Sequence, residues 1–174
     1  MLAGIEAFVS AHYIWVKFIH MLFAMIWVWS TSVAYLSYLL PAVRTWLRNP
    51  DDPDAIALRN HAMERFDSGV LLEHVAFPIL LITGPMLMIA GGWTPEDGWF
   101  ALKLALVIAV FIPIEAYDYH LSHFGENKER VRRTGDEAAY ERAIHHHWWF
   151  LIVTTPIISI FAIGTLFLAI TKPF

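Results

Sequence analysis

Two groups of polar side chains stand inside otherwise apolar stretches, and their types allow chemistry. The first pairs His20, in YIWVKFIHMLFAMIWVWS, with Lys103, in GWFALKLALVIAV. Imidazole is the usual axial ligand of haem iron, and a desolvated lysine can act as a second ligand or as a cation beside a propionate. Without any cofactor, the lysine can extend its ammonium to the interface and the histidine can hydrogen-bond within a helix contact. The second group comprises Glu73, His74, Glu115, Asp118, His120, His123 and the run His145, His146 and His147. Imidazole and carboxylate suit non-haem iron, copper or zinc, and His74, Glu115, Asp118 and His147 form the weaker candidate set for such a metal. The alternative is an interfacial belt in which these groups meet headgroups and water. Glu115 and Asp118 share one helix face, His120 and His123 another, and three consecutive histidines fan around a helix, so one or two of the three face inward.

Composition says where such groups must sit. Of 174 residues, 57% are hydrophobic and 16% charged, and the mean hydropathy is +0.51, which places the chain beyond ordinary soluble domains and in a lipid bilayer. With zero cysteines, disulfides, thiolate ligands, iron-sulfur clusters and covalently attached haem are excluded. Any cofactor must be held by His, Lys, carboxylate, Tyr or Met. A net charge of -4 and the lack of a clustered basic surface exclude a nucleic-acid footprint. The first dozen residues carry no cleavable-signal pattern, so the first span is expected to be its own insertion signal.

The elements that must position these groups follow from the apolar runs. Spans are expected at about 15–42, 68–92, 99–119 and 145–170, each long enough for roughly 30 Å of hydrocarbon. The expected fold is all-α: a single-domain integral membrane four-helix bundle over 1–174, with an amphipathic N-terminal segment and helical cytoplasmic connectors. Pro41 with the following Arg44 and Arg48 is read as marking the exit of the first span, Asp52 or Asp54 as a helix N-cap, and Pro78, Gly84 and Pro85 as kinks in the second span. Arg44, Arg48, Arg59 and Arg65 follow the first span, and Lys128, Arg130, Arg132, Arg133 and Arg142 follow the third. The WTPEDG turn has no basic residue. The positive-inside rule then puts both basic connectors in the cytoplasm and both termini outside. His20 lies about seven residues, ~10 Å, from the outer end of its helix and Lys103 about five residues, ~7 Å, so they share a level. Ala24 and Trp27 below His20 are read either as a flat apolar slot or as packing. No span carries two histidines at the separation used to hold two stacked haems, which points to one haem or none.

The order of features resembles the HemJ-type protoporphyrinogen IX oxidase family and the wider set of small CopD-like four-helix membrane proteins. The matching pieces are WVKFIHMLFAMIWVWS, RFDSGVL, GWFALKLALVIAV and the closing ITKPF. The resemblance implies a four-helix bundle that binds haem b, with His20 and Lys103 as the functional pair. SYLLPAVR, from Ser37 to Arg44, departs from the family's stretch after the first span, which leaves the substrate open.

The expected function is a haem b membrane oxidoreductase of the cytoplasmic membrane that oxidises a hydrophobic substrate, protoporphyrinogen IX in the family, and passes electrons to a quinone or respiratory partner. His20 would ligate iron, and Lys103 would be a second ligand or a catalytic contact to substrate or propionate. The alternative is a non-catalytic haem- or metal-binding accessory subunit of a larger membrane complex or homo-oligomer, with its helices as packing surfaces. A third reading is copper or other metal handling by the inner histidines.

Overall fold

Long runs of Leu, Ile, Val, Phe and Met with few spaced breakers fold as helices, and the computed structural model, which describes residues 2–173, contains no strand among them. Four largely helical stretches, Tyr13–Arg48, Pro53–Gly91, Gly98–Arg132 and Glu137–Thr171, are long and apolar enough to cross a membrane. Short turns at 49–52, 92–97 and 133–136 join them, so successive stretches form an up-and-down bundle. Turns 49–52 and 133–136 lie at one end, here called the basic end. Turn 92–97 lies at the other.

A short helix α1 (Leu2–Ala11) precedes the bundle and packs on α5 (Leu71–Gly91), burying Val9 against the outer cluster of Val16 and Leu87. The first long stretch is α2 (Tyr13–Ala34), a π-helical turn over Tyr35–Leu39, and α3 (Leu40–Arg48). Helix therefore continues through Pro41 as far as Arg48. The reason is local: Leu40 N–H bonds back five residues to the Tyr35 carbonyl, and this widened turn admits a proline that has no N–H and crowds the carbonyl before it. The same device recurs in the third stretch. There α6 (Gly98–Leu106) passes through a π-helical turn at Val107–Phe111 into α7 (Ile112–Tyr119), which carries Pro113 in its first turn.

Asp52, not Asp54, caps α4 (Pro53–Gly69), its Oδ1 accepting from Asp54 N–H at 3.0 Å. Only the buried Val70 separates α4 from α5, so the polar connector and the second span make one nearly continuous rod. That rod is helical through Pro78 and Pro85. A third π-helical turn, His120–Phe124, leads to α8 (Lys128–Arg132), and α9 (Glu137–Thr171) returns along the whole bundle.

α2 lies along α5, α6 along α9 and α3 along α4. At the basic end Tyr35, Leu39, Met63, Phe66 and Trp148 pack into one core; midway, Trp27, Ala76, Phe77, Phe111 and Ala162 form another. Ile14, Trp15, Trp29, Val33, Ile160, Ile163 and Ile170 are all exposed on the outside of the bundle, an apolar surface that a bilayer covers.

At the opposite end Gly92 terminates α5 at φ 65, the left-handed conformation that L side chains avoid. Trp93 then meets Trp99 at 5.3 Å, and Lys172 from the C-terminus lies 4.5 Å over the Trp93 ring. Gly92→Ala is expected to cost about 1–2 kcal/mol, the penalty of a Cβ in this conformation, with Gly92→Asn nearer to wild type. Thermal unfolding in detergent reads the difference.

Candidate functional site

The outer pair is held by a tilt of hydrogen bonds that leaves one nitrogen free. Thr83, one turn before the end of α5's apolar middle, donates its hydroxyl proton to the Ile79 carbonyl at 2.7 Å. Its oxygen lies 2.8 Å from His20 Nδ1. With its single proton committed, Thr83 can only accept, so His20 carries its proton on Nδ1 and Nε2 keeps its lone pair. The next residue, Gly84, presents no side chain to the ring; a Cβ there would stand 3.7 Å from His20 Cε1. Lys103 is half-buried on α6, and among the described residues it has no hydrogen-bond or ion-pair partner. His20 is likewise half-buried.

Trp27 does not form an open slot beneath His20. Its ring is buried against Phe77 at 5.4 Å and Phe111 at 4.9 Å, and its indole N–H donates to Glu115 Oε1 at 2.8 Å. It belongs to the middle core, the packing alternative for this residue.

The inner residues divide. Asp118 accepts from two imidazoles, His74 Nε2 at Oδ2 (3.1 Å) and His147 Nε2 at Oδ1 (2.8 Å). His74 Nδ1 lies 2.8 Å from His123 Nε2. His147 Nδ1 receives the Lys128 ammonium, which also donates to Asp67 Oδ1 at 2.9 Å, while Lys128 backbone N–H reaches Asp67 Oδ2 at 2.9 Å. All four ring nitrogens of His74 and His147 are thereby engaged with protein groups. Among the described residues no three His, Asp or Glu are arranged to hold a metal ion. Glu115 stands apart from this set, bound to Trp27 and beside Glu73.

The helix fan of the histidine run resolves by position on α9. His147 is completely buried, His146 pairs at the surface with Glu126 (2.9 Å) and Tyr117 (2.9 Å), and His145 accepts from Trp149. His120 turns away from His74 and packs against Gly125.

Three residues that hold these groups in place carry no signal that spacing alone could raise. Thr83 is one hydroxyl in an apolar run, Asp67 sits in a polar connector, and Lys128 counts in sequence only as one more basic residue, the first of α8. All three are buried. A comparison of the chain with family models, with curated proteins and with solved structures finds no match.

Proposed function

We propose that this integral membrane protein is a haem b-binding oxidoreductase in which His20 Nε2 ligates the iron and Lys103 is the second ligand or a contact to a propionate or substrate. One observation carries the reading: the Ile79–Thr83–His20 hydrogen-bond chain fixes the tautomer that leaves Nε2 free, the arrangement by which proteins orient a metal-ligating histidine. The donor set fits the group, a neutral imidazole with its other nitrogen tied down and an unpartnered lysine at the same level. When bound, haem supplies one-electron chemistry. The chain's own part is to orient the imidazole through Thr83, to place a cation at Lys103, and to enclose the site in apolar helices that exclude water.

The resemblance in the first and third spans supports protoporphyrinogen IX, or another hydrophobic reductant, as substrate, with a quinone or respiratory carrier accepting electrons. The two basic connectors support a cytoplasmic-membrane protein with the basic end inside and both termini outside.

Purified protein in detergent is expected to show a Soret band that His20→Ala abolishes while helicity is unchanged. A colourless wild-type protein overturns the proposal. If the band is present, anaerobic addition of protoporphyrinogen separates enzyme from accessory subunit: oxidation above the free-haem background is the expected result, and its absence assigns the accessory role.

A further inference from the structure

Two buried glutamates take no part in the His20 site. Glu73 on α5 and Glu115 on α7 are 3% and 4% exposed and line the same small cavity. As two carboxylates, neither Glu73 Oε2 nor Glu115 Oε2 has a donor facing it; nor do the buried hydroxyls of Thr31 and Thr155 have a partner. These four residues and Asp118 line one cavity with about 10 Å³ of room for a water centre, close to the ~10–15 Å³ that one water needs. Two adjacent carboxylates in a dry interior repel, and a proton on one of them both removes the repulsion and supplies the missing donor. A water among the hydroxyls satisfies the rest. The surroundings favour a proton over a metal. Trp27 N–H donates to Glu115, the buried Ser30 hydroxyl stands beside Glu73, and no lysine or arginine pairs with either glutamate among the described residues. Asp118 is held by His74 and His147, whose other ring nitrogens meet His123 and Lys128, and Lys128 is committed to Asp67 and His147.

Asp118 opens this cavity toward the basic end. From its Oδ2 the contacts run to His74 Nε2 (3.1 Å) and from His74 Nδ1 to His123 Nε2 (2.8 Å). His123 is half-buried, and its Nδ1 has no protein partner among the described residues.

We propose that Glu73 and Glu115 form a buried proton-binding pair sharing one proton and one water, and that Asp118, His74 and His123 conduct that proton between the pair and the basic end of the bundle. The steps balance. A proton from bulk water binds His123 Nδ1 and the Nε2 proton passes to His74 Nδ1. The His74 Nε2 proton passes to Asp118, and Asp118 protonates the cavity water, which passes its surplus proton to the glutamate pair. One proton enters and one is bound. Each ring ends with its proton on the opposite nitrogen, and the reverse transfer or a ring flip restores it. The proposal stands whether or not His20 binds haem.

Infrared spectroscopy of the full chain in nanodiscs tests it. A carboxylic-acid C=O band is expected at neutral pH, shifting in deuterated water, and lost in the Glu73→Gln/Glu115→Gln double variant. That variant keeps neutral hydrogen-bonding groups of the same shape and is expected to fold. Deuterium exchange of the band is expected to slow by at least an order of magnitude in His74→Leu and, should that variant not fold, in the surface-reaching His123→Phe. Absence of the band at neutral pH overturns the pair, as does a band that emerges only on withdrawal of sodium, which marks a cation site. Exchange as fast in a folded relay variant as in wild type overturns the conduction route.

Discussion

Asp67→Ala is expected to cost about 3–5 kcal/mol of stability, the largest single loss in the basic end of the bundle. Lys128 is completely buried, and Asp67 is the carboxylate that meets both its ammonium, at 2.9 Å, and its backbone N–H, at 2.9 Å. Removing the acid leaves a charged amine in a site from which water is excluded, and its remaining partners, the Leu121 carbonyl at 3.5 Å and His147, offer no opposite charge. The loss extends to His147, whose Nδ1 contact with Lys128 sets its Nε2–H toward Asp118. Replacing both members, Asp67→Leu with Lys128→Met, is expected to restore most of the stability, because no uncompensated charge is then buried. Denaturation of both variants in detergent measures the pair. A single Asp67→Ala that unfolds like wild type would show that the lysine finds another route to water.

If His20 ligates haem as proposed, Thr83→Val is expected to weaken haem binding about 10–100-fold, the usual effect of deleting the group that orients a metal-ligating histidine. Valine has nearly the shape of threonine, so the packing of α5 against α2 is retained. What is lost is the acceptor for His20 Nδ1–H, 2.8 Å away. The ring is then free to turn, or to move its proton to Nε2, and both remove the lone pair from its place. Thr83→Ser restores the acceptor and is expected to bind like wild type. Haem titration followed at the Soret band, compared across the three proteins, gives the ratio directly. Equal affinity in Thr83→Val would move the ligand role away from His20 Nε2.

The two sites differ in how far they were legible from residue order. The expectation that His20 and Lys103 share a level could be drawn from residue order, because depth along a helix is counted from its ends, and helix ends are marked locally by charge, proline and turn residues. The tie to Thr83 could not, since it depends on how α5 is rotated against α2. Asp67 and Lys128 were invisible for a related reason: both lie in polar stretches where a charged residue ordinarily faces solvent, and only the fold of α4 beneath α8 buries them. Of the inner group, Glu115 and Asp118 share a helix face as their spacing requires, yet they take different partners. One meets Trp27 and Glu73; the other sits a turn further along, among the histidines of α5 and α9.

The sequence by itself determined that the chain is all-α, with four helices able to cross a membrane and no thiol chemistry, because helix formation and hydropathy are properties of contiguous residues. It also singled out the ionisable residues that an apolar environment makes costly. Tertiary structure decided which of them meet. His147 rather than His145 or His146 turns inward, Trp27 fills a core rather than walling a slot, and the first helix passes through Pro41 by way of a π-helical turn. These outcomes rest on the rotation and register of one helix against another, set by packing among residues far apart in the chain.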